Sequence, residues 1–167
     1  MGDKYSSKFD VRFKGALNDG VAFMGCYGIG ISRLVSACVE QLGSETKIYL
    51  PTCITPYLGV IIPQKEGHRF SESLEVAERI EKRFLKLQNR QDFLFDDRHS
   101  LSIGKRLKEC QSMGIPLAIV AGKTALEDEP KVEVYWRNFS KPLYICPEND
   151  LMQRVQSLLA ENNAYLT

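Results

Sequence analysis

The chain has 167 residues, 44% hydrophobic, 10% aromatic and 26% charged, with a net charge of +1. This excludes a largely disordered chain and a mini-protein that needs covalent staples. It also excludes a global field that draws the molecule onto nucleic acid or membrane, so electrostatic recognition has to come from a local patch. The five cysteines (Cys26, Cys38, Cys53, Cys110, Cys146) are widely spaced and never in Cys-x-x-Cys form, which argues against a disulfide framework and a zinc site and fits a reducing compartment. No metal ligand set is expected. No apolar run approaches the roughly 20 residues of a membrane span, so no membrane partner is expected.

Residues 8–14 (FDVRFKG) and 21–26 (VAFMGC) read as an antiparallel strand pair joined by the turn-rich ALNDG. From Ile31 to Leu42 the apolar positions Leu34, Val35, Cys38 and Leu42 share a helical face that ends at Gly43. Residues 43–56 carry turn formers and two prolines and are the expected linker. Beyond it, 58–63 (LGVIIP) reads as a buried strand. Residues 70–87 read as a helix with Leu74, Ala77, Ile80, Phe84 and Leu87 inward and with Glu75–Arg79 and Glu78–Lys82 as i,i+4 pairs. A strand at 93–95, a helix near 103–112 closed by Gly114 and Pro116, and the strand LAIVAG complete a βαβαβ order, which implies parallel strands with right-handed crossovers. VEVYWR (132–137) and PLYIC (142–146) form an expected hairpin. A last helix presents Leu151, Met152, Val155, Leu158 and Leu159 on one stripe.

Two stretches carry chemistry. In MGCYGIGISRLV (24–35), Gly25, Gly28 and Gly30 leave backbone bare, and Arg33 follows at a helix start. Neither GxxxxGK[ST] nor a complete GxGxxG is present. Spacing alone favours glycines that let a helix pack closely on a sheet; the alternative is bare backbone against a flat ligand, with Arg33 on a phosphate oxygen. Between Arg98 and Lys108 lie four basic residues and no acid. With Ile103, Leu107 and Cys110 inward, Lys105 and Lys108 point outward toward phosphates, unless the run is merely a solvated face. On the neighbouring strand Glu133, Tyr135 and Arg137 alternate with Val132, Val134 and Trp136. An acceptor, an aromatic and a cation on an exposed face suit splayed single-stranded bases. Asp96 and Asp97 are adjacent and face opposite ways on a strand, so an ion pair or cap is expected of them rather than a metal pair. His68 and His99 lack a nucleophile partner and are assigned no catalytic role.

The segment MGCYGIGISRLVSACVEQ (24–41) resembles motif 3 of the class II aminoacyl-tRNA synthetases in the form seen in prolyl-tRNA synthetases of the bacterial and organellar type. LPTCITPYLGVIIPQ (50–64) is similar to the entry of that family's anticodon-binding domain, and the stretch from FLFDDRHSLSIGKRLK to KVEV (93–134) is similar to its core. The resemblance implies an α/β fold in two parts. Residues 1–50 would be the C-terminal remnant of a class II catalytic domain, with antiparallel strands and the motif 3 helix. Residues 51–167 would be a mixed five-stranded anticodon-binding domain with three helices.

It further implies a proline–tRNA ligase, which activates proline with ATP and Mg2+ and transfers it to tRNA(Pro). Gly25, Cys26, Gly28 and Gly30 would border the ATP and proline pockets. Arg33 would be the catalytic cation on the triphosphate. Asp97 and Arg98 would join Lys105, Lys108, Glu133, Tyr135 and Arg137 as tRNA contacts. Motifs 1 and 2 lie upstream in the family, so this chain is expected to be its C-terminal third, inactive by itself and with no cofactor bound, while the full-length enzyme is a homodimer. IGKRLK and ALED are closer to mitochondrial than to typical bacterial members, which implies the mitochondrial matrix, the alternative being a bacterial cytoplasm. The alternative function is a non-catalytic synthetase-like RNA-binding protein or polymerase accessory subunit.

Overall fold

A computed structural model describes residues 1–15, 17–45, 47–87 and 93–163. The chain divides into two compact units, Met1–Val35 and Ser36–Thr167.

In the first unit two short strands, β1 (Arg12–Lys14) and β2 (Asp19–Val21), pair antiparallel with Phe13 opposite Gly20. The expected strand over 8–14 is cut to three residues. Hydrogen bonds from the backbone N–H groups of Lys8 and Phe9 to the Tyr5 carbonyl, and from the Ser7 hydroxyl to the Asp3 carbonyl, curl the preceding segment into turns. The expected strand over 21–26 likewise ends at Val21, and only Met24 continues, as an isolated bridge to Gly2. Of the turn ALNDG, Ala16 lies outside the described residues, as does Thr46 of the linker. Helix α1 (Ile31–Leu42) follows and buries none of its residues.

The second unit is built on a five-stranded sheet of order β4-β3-β5-β6-β7. Its strands are β3 (Gly59–Pro63), β4 (Phe93–Phe95), β5 (Leu117–Ala121), β6 (Lys131–Trp136) and β7 (Tyr144–Pro147). β3 is parallel to both β4 and β5, while β6 and β7 return antiparallel. The fold class is therefore the expected mixed α/β, and its three helices are α2 (Phe70–Leu87), α3 (Ile103–Ser112) and α4 (Leu151–Asn163). The step from β3 to β4 and the return from β4 to β5 run in opposite directions across the sheet, so right-handed crossovers send α2 and α3 to opposite faces.

β3 and β5 are buried at every position, as parallel strands covered on both sides must be. Their period of two splits the core. Ile61, Leu117, Ile119, Val132 and Val134 meet Val76, Ala77, Ile80 and Phe84 of α2 and Leu151, Val155 and Leu158 of α4. Val60, Ile62, Ala118, Val120 and Tyr135 meet Leu107 and Cys110 of α3.

Two buried polar residues hold helices to the sheet. The Ser73 hydroxyl donates to the Ala121 carbonyl at 2.7 Å and accepts from the Gln64 backbone N–H at 2.8 Å, tying α2 to the ends of β5 and β3. Arg106 of α3 has no exposed surface and donates to the carbonyls of Pro63 and Asp96. The expected Glu78–Lys82 pair forms at 3.7 Å, but Arg79 turns from Glu75 to Glu148, which precedes α4. The side chain of Leu87 lies outside the described residues.

Helix α3 stops at Gly114, whose φ of +74° is left-handed. A Cβ at Gly114 would also lie 3.0 Å from Ile48 Cγ2 and 3.2 Å from Leu50 Cδ1, so the linker side chains would have to give by a few tenths of an ångström to admit one. Gly114→Ala is expected to lower stability by about 1 kcal/mol or more, since it adds a positive-φ penalty to a tight contact. Arg106→Ala should cost about 2–4 kcal/mol, because it strands two buried carbonyls and the neighbouring Asp96 carboxylate. Urea unfolding checks both: the midpoint should fall at an unchanged m-value.

Candidate nucleic-acid interface

The candidate residues of the second unit, Arg137 excepted, gather where parallel strands end and α3 begins. Ser102 caps α3, its hydroxyl accepting from the Lys105 backbone N–H at 3.4 Å. Residues three apart on a helix share a face, so Lys105 and Lys108 emerge together and both are exposed. Arg106, counted with them as part of a basic run, is not part of that surface: its guanidinium lies inside, between α3 and the ends of β3 and β4. Burial lowers its pKa, and the charge of Asp96 opposes that shift.

Asp96 and Asp97 lie just past the end of β4 rather than on the expected strand, and they still part, Asp96 buried and Asp97 exposed. The Asp96 carboxylate takes Arg98 in a two-point pair, Nε to Oδ1 at 3.0 Å and Nη2 to Oδ2 at 2.8 Å, and accepts the Arg98 backbone N–H as well. Burial alone would raise the Asp96 pKa, but these hydrogen bonds, with the charges of Arg98 and Arg106, bring it below the usual carboxylate range. The third guanidinium nitrogen of Arg98 donates to Glu109 at 2.5 Å. Arg98 is thus already paired with two carboxylates that flank the basic run, which leaves Lys105 and Lys108 as its outward cations.

β6 does not present one exposed face of acceptor, aromatic and cation. Tyr135 is 8% exposed and packs edge-on against Phe139, so it is a core residue rather than a stacking platform. Its hydroxyl donates to Glu133 Oε2 at 2.6 Å. Glu133, paired in register with Val120, stands at the end of β5 near the start of α3. A Cβ on the intervening Gly122 would be 3.8 Å from Glu133 Oε1 and 3.7 Å from Ile103 Cδ1.

Arg137 belongs to the opposite end of the sheet, four residues and about 13 Å further along. There its N–H donates to the Pro116 carbonyl, and its φ of +55° breaks the alternation that would have put it beside Tyr135. Its guanidinium lies over the Trp136 ring instead, 5.6 Å from the centroid. The structure therefore brings Glu133, Asp97, Arg98 and Lys105 to one end, with Lys108 one turn along α3, and it separates Arg137 from them.

In the first unit Gly25, Cys26, Gly28 and Gly30 are exposed and lie outside regular secondary structure, and Arg33 is exposed in the first turn of α1. A Cβ at Gly28 would meet nothing within 4 Å. Packing among the described residues therefore does not require glycine there.

The Tyr135–Glu133 bond and the burial of Arg106 are features that sequence reasoning missed, although signals existed for both. Positions 133 and 135 share a strand face by alternation, and 106 falls on the helical stripe 103, 106, 107, 110.

A family model described as an anticodon binding domain matches residues 59–158, from the first residue of β3 into α4. A probable mitochondrial proline–tRNA ligase of Rattus norvegicus is 38% identical over 151 residues, covering 89% of this chain and 32% of the relative. A proline–tRNA ligase of Staphylococcus haemolyticus is 36% identical over 164 residues, covering 95% of this chain and 26% of the relative. The prolyl-tRNA synthetase of Giardia lamblia, solved in complex with prolyl-adenylate, shares the fold with a TM-score of 0.71 at 24% identity, covering 99% of this chain and 35% of that one. The chain spans between a quarter and a third of the length of these curated relatives. Because the matched residues hold all five strands of the larger sheet together with α2 and α3, the chain belongs to the anticodon-binding domain family, and the relatives that resemble it are proline–tRNA ligases.

Proposed function

We propose that this chain is the tRNA-reading part of a proline–tRNA ligase together with motif 3 of its activation site, residues 51–167 forming the reading domain and residues 1–50 the catalytic remnant. The reading rests chiefly on one end of the sheet, where the exposed Lys105 in the first turn of α3 and the half-buried Glu133 of β6 both stand. Cations that meet phosphates set register and affinity, while an acceptor fixed beside them discriminates bases. Asp97 and Arg98 border this end; Arg98, held by Asp96 and Glu109, offers RNA a fixed and largely neutralised edge. The parent enzyme, acting as a homodimer, would join proline to tRNA(Pro). A mitochondrial setting is supported by relatives from rat, mouse and human that carry that designation, though bacterial relatives match too.

The activation site tests differently. Bare exposed backbone at residues 25–30 and an exposed guanidinium at the start of a 12-residue helix fit one wall of a nucleotide pocket. Arg33 would hold the triphosphate of ATP, and Gly25, Cys26, Gly28 and Gly30 would leave room for the adenine and proline. When bound, ATP would supply the α-phosphorus that proline's carboxylate attacks, an adenylyl transfer that breaks the α–β phosphoanhydride bond and releases pyrophosphate; Arg33 would hold the negative charge on that departing pyrophosphate. Magnesium would enter with ATP in the parent enzyme.

Two outcomes are expected. The 167-residue chain alone should show no proline-dependent exchange between pyrophosphate and ATP, because one wall of a site cannot orient in-line attack; exchange above the no-protein control would overturn this assignment. Lys105→Gln and Lys108→Gln should each weaken binding of a proline anticodon stem-loop and of a base-changed stem-loop alike, lowering the slope of log K against log salt by about 0.7–0.9. Glu133→Gln should cost about 1–3 kcal/mol against the cognate stem-loop alone. A parent chain that binds both stem-loops equally would refute the reading.

A further inference from the structure

β6 carries an acceptor that cannot turn freely. Glu133 Oε2 takes a 2.6 Å hydrogen bond from the Tyr135 hydroxyl, and residues two apart on a strand share a face, so β6 builds this pair by itself. The donor is immobile. Tyr135 is 8% exposed, its ring lies edge-on to Phe139 with centroids 6.1 Å apart, and it packs in the core among Val60, Leu107 and Ala118. Burial, then the hydrogen bond to Glu133 and its negative charge, push the phenol above its ordinary range, so it remains an O–H donor throughout the neutral range. The other oxygen, Oε1, lies 3.8 Å from where a Cβ on Gly122 would stand. Glu133 is only half-buried, so its carboxylate reaches the surface at the end of the sheet where α3 begins.

We infer that Tyr135 is a positioning residue for RNA recognition: by anchoring Oε2 of Glu133 it aims Oε1 at N–H donors on the edge of a splayed base. This rests on the proposed role of Glu133 as a base acceptor. A carboxylate repels phosphate, so it weakens binding of any RNA that does not offer it a donor. A free glutamate would have to give up rotamer freedom on binding, whereas an anchored one has lost it already on folding. The hydrogen bond therefore acts on discrimination between bases more than on overall affinity.

The test is a double-mutant cycle on the 167-residue chain: parent, Tyr135→Phe, Glu133→Ala and the double variant. Each is titrated with a proline anticodon stem-loop and with one carrying a base change. Tyr135→Phe keeps the ring in the core and removes only the donor. It should weaken cognate binding roughly three- to tenfold, the size of a coupling between contacting residues. It should also narrow the gap to the altered stem-loop and have no further effect once Glu133 is alanine. A loss of the same size in the Glu133→Ala background marks a general folding defect and overturns the positioning role, as does no loss in the parent. If Glu133→Ala binds both stem-loops as the parent does, Glu133 is not a reader and the role of Tyr135 falls with it.

Discussion

Beneath the first turns of α3 lies a guanidinium that water does not reach. Arg106 donates to the carbonyls of Pro63 and Asp96, where β3 and β4 end. Removing a cation from water costs several kcal/mol, and the neighbouring Asp96 carboxylate offsets part of it. Asp96 then takes Arg98 in a two-point pair, and Arg98 reaches back to Glu109 of α3. The chain of contacts closes on the helix from which it started. α3 therefore has one allowed roll about its axis: Arg106, Leu107 and Cys110 must point inward, and Lys105 and Lys108 must point out.

That closure limits what the surface can do. A run of four basic residues suggests a strongly attractive patch, but one cation is buried and another is matched by two carboxylates, so two lysines remain. On the proposed reading, this run offers RNA phosphates only two lysines, and selection among RNAs then falls to directional groups. Glu133 is suited to that work because Tyr135 beneath it has already fixed the carboxylate, and Tyr135 can do so because the α3 face of the sheet buries its ring.

Much of the second unit was legible in its pattern, because buried parallel strands and amphipathic helices are the two signals that periodicity carries. The run 58–63, the stripe of α4 and the inward Ile103, Leu107 and Cys110 follow from spacing alone. What escaped were polar groups used as interior parts. Ser73, Arg106 and Tyr135 read as surface residues by type, although position on a helical stripe or a strand face signalled the last two; their partners Ala121, Pro63 and Glu133, which settle it, are 48, 43 and 2 residues away. Arg137 escaped for a local reason: strand alternation holds only while φ stays negative, and its left-handed backbone ends the pattern one residue early.

The glycine-rich stretch is the opposite case, since the role proposed for it comes only from resemblance. Within Met1–Val35 no apolar residue is buried among those described, and Phe23, Tyr27, Ile29 and Ile31 are 77% or more exposed. Two three-residue strands cannot hold themselves together in water. Periodicity therefore had no core to report in this unit, and β1 and β2 came out shorter than alternation suggested. On the proposed reading, these side chains and the bare backbone at Gly28 are the inner surfaces of a larger catalytic domain, shaped by a nucleotide and by protein surfaces outside this unit. A residue whose neighbours belong to another surface leaves no repeat in its own sequence; only the combination of glycines and one arginine, a matter of chemistry rather than spacing, marks the place.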